Sequence, residues 1–360
     1  MIPSCEIIVT TYAPGCRYGG FSVREMGELD LKPLAALTDG EVFGAGDLLF
    51  LDTETTGLSG GAGTVAFLVG AGFFCDGGFV VKQFFMRDFD EELAVLQGLE
   101  AEMKSRGALV TYNGKAFDAS LLSGRFIMNG MRFPSGGAHL DLLHVARRIW
   151  RGCLENCRLA TIEDAILSER REGDIPGFMI PGIYFGYVQD RRRAPIERVL
   201  EHNRLDILSM AAVLKRVSGL VRRPPAESPL GGGEELYGLG CLLEALGDAE
   251  KAERCFELCA EGERARAPAA RRALAKLAAM RKRANDFEGA LRCWERMAER
   301  SPAAGAYPYI EMAKHYEHRA RDPEKAKEYA DRALLVASAP RLRMGGQRAD
   351  GTRADGLRAE

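Results

Sequence analysis

The sequence predicts an α/β domain built on a mixed sheet with flanking helices, followed by an all-α region. Between about residues 48 and 220, β-branched and aromatic runs alternate with segments of helical periodicity, which is typical of an α/β layer. After residue 221 the chain is rich in Ala, Glu, Leu, Arg and Lys and offers no strand candidate. With 360 residues, the chain has the length of about two domains.

The composition excludes several classes of protein. Hydrophobic residues make up 46% and charged residues 28%, the balance of a soluble globular protein rather than a disordered one. The longest apolar run, residues 65–74, is about half as long as a transmembrane helix, and residues 1–16 lack the basic start of a signal peptide. Nine cysteines without an export signal are expected to remain reduced. We therefore expect a cytoplasmic protein that does not enter a membrane.

Five strands are expected in the first half of the chain. Strands near residues 48–52, 64–74 and 79–86 form a meander, and two more, one near 108–112 and one in the strand-like run that ends at Asp141, alternate with helices. The predicted domain spans residues 45–220. Residues 1–44 carry no clear motif and form an N-terminal segment of uncertain structure.

The second half repeats a short motif around Asp248, Asp286 and Asp322. The spacing is close to the roughly 34 residues of tetratricopeptide repeats, and the copies resemble their helical hairpins. We expect a short tetratricopeptide-like solenoid over residues 234–338 whose concave side binds a protein or peptide partner. The alternative is a plain helical bundle that only stabilises the first domain. Residues 221–233 are predicted to be a linker, and residues 339–360 a disordered tail.

Asp52 and Glu54 close the first buried strand, within the motif FLDTETTGL. Residues two apart on a strand point to the same face, so the two carboxylates project together. Like charges repel there unless a cation lies between them, and Mg²⁺ prefers carboxylate oxygens. The pattern therefore indicates a metal site, with a solvated strand end as the alternative.

Further polar residues extend this pattern. Asn113 and Gly114 turn the chain after the strand near 108–112, and Asp118 then enters the first turn of a helix. His202 and Asp206 lie four residues apart in a predicted helix over residues 197–217, so they share one face. An imidazole there can accept a proton from water while the carboxylate holds a metal. The alternatives are a helix N-terminal charge for Asp118 and a surface pair for His202 and Asp206.

The motifs FLDTETTGL, TYNGKAFD and HNRLD resemble those of the DEDD exonucleases, which have a ribonuclease H-like fold. The four acids that match in order are Asp52, Glu54, Asp118 and Asp206. The longer segments GLSGGAGTVAFLVG, HLDLLHVARRIW and HNRLDILS resemble the YprB-type bacterial family, which joins such a domain to a tetratricopeptide-like tail. The resemblance covers about residues 45–220. It departs at His202, which stands four residues before the last Asp rather than the five usual for histidine-type members.

The resemblance implies a 3′-to-5′ exonuclease that acts on single-stranded ends of DNA or RNA. It implies two Mg²⁺ or Mn²⁺ ions as cofactors, bridged by Asp52 and completed by Glu54, Asp118 and Asp206. His202 would orient or deprotonate the attacking water. The residues assigned to nucleic-acid contacts are Thr55, Asn113, Lys115 and Phe117, with Arg170, Arg171 and Arg191 to Arg193 as candidates for neutralising the backbone.

Two other readings of function remain open from the sequence. The first is a ribonuclease H-like scaffold with weak or no catalytic activity, whose helical repeats bind a protein partner. Intact acids argue against it, because a docking fold gains nothing from clustered negative charge. The second is an endonuclease of the ribonuclease H or junction-resolving type, which uses similar carboxylates.

Overall fold

The computed structural model describes residues 4–38, 43–57, 63–134, 137–226, 230, 233–261, 268–300 and 305–338. The predicted tail and part of the predicted linker lie outside these ranges. Packing divides the chain into two compact units, Met1–Leu277 and Ala278–Glu360. Strands in the described ranges are β1 (Glu6–Tyr12), β2 (Arg17–Tyr18), β3 (Phe21–Ser22), β4 (Leu48–Thr55), β5 (Ala66–Cys75), β6 (Gly78–Phe85), β7 (Ala108–Thr111) and β8 (Ala138–Asp141).

The helices continue this alternation in the first half and dominate the second. The α-helices are α1 (Val23–Gly27), α2 (Glu92–Lys104), α3 (Asp118–Met128), α4 (Leu142–Trp150), α5 (Leu159–Ile162), α6 (Ile180–Asp190), α7 (Arg193–Arg222), α8 (Glu234–Ala245), α9 (Ala249–Glu261), α10 (Pro268–Arg283), α11 (Phe287–Arg300), α12 (Tyr307–His315) and α13 (Pro323–Ser338). Short 3-10 segments occur at Lys32–Leu37, Ala45–Asp47, Phe89–Glu91 and Gly177–Met179, and π-helical turns at Glu163–Leu167 and Tyr316–Ala320. None of the helices in the described ranges combines the length and apolar character needed to cross a bilayer.

The main sheet has six strands in the order β1-β6-β5-β4-β7-β8, and β2 and β3 form a separate hairpin. The pairs β1–β6, β6–β5 and β5–β4 are antiparallel, whereas β4–β7 and β7–β8 are parallel. The predicted combination of a mixed sheet with flanking helices and a later helical region is thus confirmed. Helices cover both faces of the sheet. Adjacent residues of β6 point to opposite faces, so they contact different helices. Gln83 contacts α7, and Phe84 packs against Gly98 of α2.

The predicted number of five strands is wrong, because β1 adds a sixth strand at the edge of the sheet. It pairs with β6 from Glu6 opposite Phe85 to Tyr12 opposite Phe79. Ile7 and Val9 on its outer face are more than half exposed. Since both faces of this strand carry apolar side chains, the sequence shows no clean polar and apolar alternation, and the strand is defined by its partner rather than by its own pattern.

Two elements position the candidate site. Residues Leu48 to Leu51 of β4 are fully buried in the centre of the sheet, so Asp52 and Glu54 emerge where the core ends. The register of β4 with β5 becomes irregular between Glu54 and Thr55. Helix α7 packs across β4, β5 and β6 and extends beyond the predicted 197–217 at both ends. Pro195 is tolerated there because it lies in the first turn, where no intrahelical donor is lost.

The aligned aspartates Asp248, Asp286 and Asp322 have the same local structure. Each precedes a helix, and its carboxylate accepts a hydrogen bond from the amide three residues later, at 2.8–3.1 Å. The residue before each aspartate has a positive φ. Helix α8 packs against α9, and α12 packs against α13. The tetratricopeptide-like solenoid and its domain boundaries stay predictions. All nine cysteines lie in the described ranges, and none of them is paired in a disulfide there.

Candidate active site

Asp52 and Glu54 leave β4 on one side, and the intervening Thr53 points to the other. Both acids are half-buried, and Thr53 is buried. Burial raises the pKa of Asp52 well above its usual value, and the nearby carboxylates of Asp206, Glu54 and Asp118 raise it further. Burial raises the pKa of Glu54 in the same way, helped by Asp206 and Asp118. The end of β4 is therefore a place where full negative charge is unfavourable without a cation.

Asp118 is the first residue of α3 and is buried. The Thr53 hydroxyl donates a hydrogen bond to Asp118 Oδ1 at 2.5 Å, which joins β4 to the start of this helix. Burial raises the pKa of Asp118 to about 6, although the Thr53 hydrogen bond opposes the rise. Asp118 lies close enough to Asp52 and Glu54 to raise the pKa values of both. Asp118 therefore acts electrostatically on both acids of β4.

The turn that leads to Asp118 is fastened by Asp141 at the end of β8. Asp141 accepts hydrogen bonds from the amides of Asn113 (2.8 Å), Lys115 (3.1 Å) and Leu143 (3.0 Å). Its bond from Leu143 makes it the N-cap of α4, as Asp at such a position predicts. The same carboxylate therefore starts one helix and fixes the path into another. Asn113 has a φ of +69°, a conformation that Asn tolerates better than most residues.

The residues predicted to contact nucleic acid occupy different environments. Asn113 and Lys115 are exposed on the turn before α3, and Phe117 is half-buried. Thr55 is buried, and its hydroxyl donates to the carbonyl of Gly57 at 2.7 Å. Asn113 and Lys115 are thus free to meet a ligand, whereas the Thr55 hydroxyl is used inside the chain.

His202 lies among three acids from three elements. Its Nδ1 is 2.7 Å from Asp174 Oδ1, and its Nε2 is 3.9 Å from Glu54 Oε1 and 3.7 Å from Asp206 Oδ2. A carboxylate only accepts, so Nδ1 carries the proton of this hydrogen bond. When the ring is neutral, the Nε2 lone pair faces the side where Glu54 and Asp206 lie. Such a nitrogen can take a proton from a bound water.

Arg171 is a buried cation next to Asp206, not a surface arginine. Its guanidinium donates to Asp206 Oδ1 at 2.5 Å, to Glu163, and to the carbonyl of His202 at 3.4 Å, and it lies 3.7 Å from Asp174. Only 9% of its side chain is exposed. Burial by itself lowers the pKa of Arg171, but Asp206 and Glu163 outweigh it and raise the pKa. The prediction that Arg171 neutralises a nucleic-acid backbone is therefore wrong, because internal acids enclose it.

The other arginines of that prediction remain at or near the surface. Arg170 pairs with Asp164, and Arg191 pairs with Asp88. These exposed pairs are easily exchanged for other anions, since surface salt bridges contribute little stability.

Two buried amides beside Asp52 were not identified from the sequence. Asn203 Nδ2 donates to Asp52 Oδ2 at 2.8 Å, and Gln83 Nε2 donates to Asn203 Oδ1 at 2.9 Å. Asn203 is 0% exposed and Gln83 1%. A signal for Asn203 was present, because it lies midway between the apolar Val199 and Ile207 on the buried stripe of α7. A polar residue on such a stripe needs a buried partner.

The donor set at this site fits a hard divalent cation. Asp52, Glu54, Asp118 and Asp206 supply only carboxylate oxygens. Burial raises the pKa of Asp52, Glu54 and Asp118, so their joint ionisation is unfavourable without a compensating charge. Within the described residues, no three acidic, imidazole or thiol side chains lie close enough to hold a metal ion in their present positions. Arg171 occupies one oxygen of Asp206. Metal binding therefore requires local rearrangement of side chains.

Comparison with known proteins assigns this domain. The family model RNase_H_2, described as belonging to the RNase_H superfamily, matches residues 49–218, the range that contains all four acids. The protein YprB of Bacillus subtilis (strain 168) is 30% identical over 345 residues, which cover 93% of this chain and 81% of the relative. Members of the RNase H superfamily are generally nucleases that use divalent metal ions and act on nucleic acid. The chain therefore belongs to the YprB family, and residues 49–218 form its RNase H superfamily domain.

Proposed function

We propose that this protein is a metal-dependent 3′-to-5′ exonuclease that hydrolyses phosphodiester bonds at single-stranded ends of DNA or RNA. The observation that carries the proposal is the grouping of Asp52, Glu54 and Asp118 with His202 and Asp206. These residues come from β4, α3 and α7, so only the folded domain unites them. The exonuclease type and its direction rest on the resemblance of the three motifs to those of the DEDD enzymes.

Two Mg²⁺ or Mn²⁺ ions are the cofactors of this proposal. Asp52, Glu54, Asp118 and Asp206 would hold them, and the ions would supply activation of water and stabilisation of charge on the leaving oxygen. Because Arg171 contacts Asp206 in this structure, it has to release or share that carboxylate when metal binds.

The side chains of the site have separate tasks in the proposed reaction. His202 accepts the proton of the attacking water at Nε2, while Asp174 holds the ring through Nδ1 at 2.7 Å. Lys115 and Asn113, exposed on the turn before Asp118, bind phosphate oxygens. Phe117 stacks on a base through the exposed part of its ring.

The test uses a single-stranded oligonucleotide with a label at its 5′ end, Mn²⁺, and two proteins. The wild type should release a ladder of progressively shorter labelled fragments, and a blocked 3′ end should prevent it. Asp52→Asn keeps the size of the side chain and should lower the rate by about 10³-fold or more, since a metal-holding charge is lost. Equal activity in the two proteins, or no activity in the wild type with either metal, would contradict the proposal.

We also propose that the helices of residues 234–338 form tetratricopeptide-like hairpins that bind a protein or peptide. The shared capping of α9, α11 and α13 by Asp248, Asp286 and Asp322 supports a repeated unit. The scaffold alternative predicts that partner capture persists in Asp52→Asn and that no metal-dependent cleavage occurs in the wild type. The oligonucleotide assay therefore separates the two functions.

A further inference from the structure

A polar row crosses the sheet toward Asp52. In the strand register Asp52 lies opposite Gly70 of β5, and Gly70 lies opposite Gln83 of β6. Asn203 of α7 lies over the middle of this row. A Cβ on residue 70 would come within 2.3 Å of Asn203 Oδ1, so Gly70 leaves the space that the amide fills. The sheet thus has a slot in which one amide side chain reaches from Gln83 to Asp52.

The hydrogen bonds of this row run in one direction. The Gln83 amide donates to the carbonyl of Leu200 at 2.8 Å and to Asn203 Oδ1 at 2.9 Å. Asn203 Oδ1 is therefore directed to Gln83, and its Nδ2 is directed to Asp52. Nδ2 donates to Asp52 Oδ2 at 2.8 Å and to the Asp52 carbonyl at 3.3 Å. Gln83 sets the orientation of the Asn203 amide, and Asn203 in turn sets the plane of the Asp52 carboxylate. Gln83 therefore acts on Asp52 through one intervening side chain.

The chemistry of the row matches a role in orienting a metal ligand. Both amides are neutral, so they fix a carboxylate without cancelling the charge that a cation needs. One oxygen of Asp52 is engaged by Asn203, which leaves the other available to a ligand. Mutation of partners of this kind typically lowers metal affinity by about 10- to 100-fold.

We propose that Asn203 and Gln83 are positioning residues that hold Asp52 in the orientation in which it binds a divalent cation. The inference rests on the proposed function, because it assigns a role toward the metal of the same site. Asn203 acts directly on Asp52, whereas Gln83 acts only through Asn203.

The experiment titrates Mn²⁺ into the full chain without nucleic acid and follows the thermal midpoint and Mn²⁺ binding by electron paramagnetic resonance. Asn203→Leu should raise the half-saturating Mn²⁺ concentration by about 10- to 100-fold. Gln83→Met should raise it less, since Asn203 keeps its bond to Asp52. Ser218→Ala is the matched control, because it removes a buried hydrogen bond of α7 to the carbonyl of Asp30, away from the site. Its Mn²⁺ affinity should equal that of the wild type.

Cleavage gives a second readout. In Asn203→Leu, activity should be low at limiting Mn²⁺ and recover as Mn²⁺ is raised, a dependence that a purely structural role would not produce. Wild-type Mn²⁺ affinity in folded Asn203→Leu overturns the proposal; if that variant does not fold, wild-type affinity in Gln83→Met does so. A wild type that neither binds Mn²⁺ nor cleaves contradicts the proposed function itself, which is a different outcome.

Discussion

Asp52 and Asp206 flank the same candidate site, yet the protein holds them in chemically opposite ways. The surroundings of Asp52, which lies on β4, are called the sheet side. There the neutral Asn203 donates a hydrogen bond to Asp52 at 2.8 Å. The surroundings of Asp206, which lies on α7, are called the helix side. There the charged Arg171 donates a hydrogen bond to Asp206 at 2.5 Å. A neutral donor orients a carboxylate and leaves its charge intact, whereas a guanidinium also cancels that charge. The charge of Asp52 therefore has no cationic partner in its hydrogen bond with Asn203, whereas Arg171 compensates the charge of Asp206.

The helix side extends further into the molecule than the sheet side. Glu163 binds Arg171 and also accepts from Ser209, whose hydroxyl is 2.7 Å from that of Tyr18. Tyr18 belongs to the β2–β3 hairpin, within the segment of residues 1–44 that shows no motif. The N-terminal segment thus supports the charged network behind Asp206, in addition to supplying β1. Residues far from Asp206 in the sequence therefore take part in the hydrogen-bond network that balances its charge.

The largest expected effect is the loss of this internal cation. Arg171→Met leaves the buried Glu163 and the half-buried Asp206 without this counter-charge, which costs about 3–5 kcal/mol. For a unit of this size we expect the thermal midpoint to fall by about 10 °C in the presence of a chelator. Arg170→Met is the matched control, because the side chain of Arg170 is 81% exposed and, among the residues that the structure describes, its ion pair is with Asp164. Equal midpoints for the two variants would show that Arg171 carries no more stability than a surface arginine.

The sequence predicts the elements of the site better than the contacts that support it. Same-face spacing places Asp52 with Glu54 on β4 and His202 with Asp206 on α7, because strand and helix periods are local properties. The burial of Arg171 is not a local property. The sequence does not distinguish Arg171 from its neighbour Arg170, because the partner that binds Arg171, Asp206, lies 35 residues away. Which arginine is buried depends on its tertiary partners. Glu163 and Asp206 lie outside residues 169–174, so no pattern within that segment predicts which arginine they bind.

The polar row shows the same limit from the sheet side. Gln83 lies in an apolar strand, where alternation alone assigns it to a solvated face. Asn203 is 120 residues away and supplies the partner that makes its burial tolerable. The need for glycine at position 70 cannot be predicted from the sequence alone. It becomes clear only from the structure, in which the Asn203 amide fills the space that a side chain of residue 70 would occupy.

Gly70→Ala tests the sheet side by steric pressure. The added methyl group meets Asn203 Oδ1 at 2.3 Å, so α7 or the amide has to move. Overpacking of this kind costs about 1–3 kcal/mol, which should lower the thermal midpoint by several degrees. Gly219→Ala on α7 is the control, because in the described part of the chain no atom outside its own helical turns lies within 4 Å of the Cβ it would add. A midpoint for Gly70→Ala as high as that of the control would mean that Asn203 is not held in the slot.

The metal affinity of Arg171→Met sharpens the comparison of the two sides. If the guanidinium competes with metal for Asp206 Oδ1, its removal should tighten Mn²⁺ binding by about tenfold, or about 1.4 kcal/mol. Removing Asn203 from the sheet side is expected to weaken binding instead. The measurement is Mn²⁺ titration of the folded variants at low temperature. Weaker binding in Arg171→Met would place Arg171 in the same supporting role as Asn203 and remove the distinction between the sides.

The smallest expected effect concerns stability without metal, where the two sides should respond with opposite signs. Burial and neighbouring acids raise the pKa of Asp52, so its ionised form destabilises the fold as pH rises through that pKa. Asp52→Asn keeps an acceptor for Asn203 and removes the charge, and we expect about 1 kcal/mol of added stability near neutral pH. The gain should shrink as the pH is lowered, because the wild-type carboxyl then becomes neutral as well.

Asp206→Asn is the matched comparison, since it removes the partner of a buried guanidinium and should lower the thermal midpoint. Thermal unfolding of both variants in a chelator, at neutral and mildly acidic pH, measures the two signs side by side. A fall in both variants would mean that Asp52 is already compensated within the protein. The sheet side would then lack the unbalanced charge on which the proposed cation binding depends.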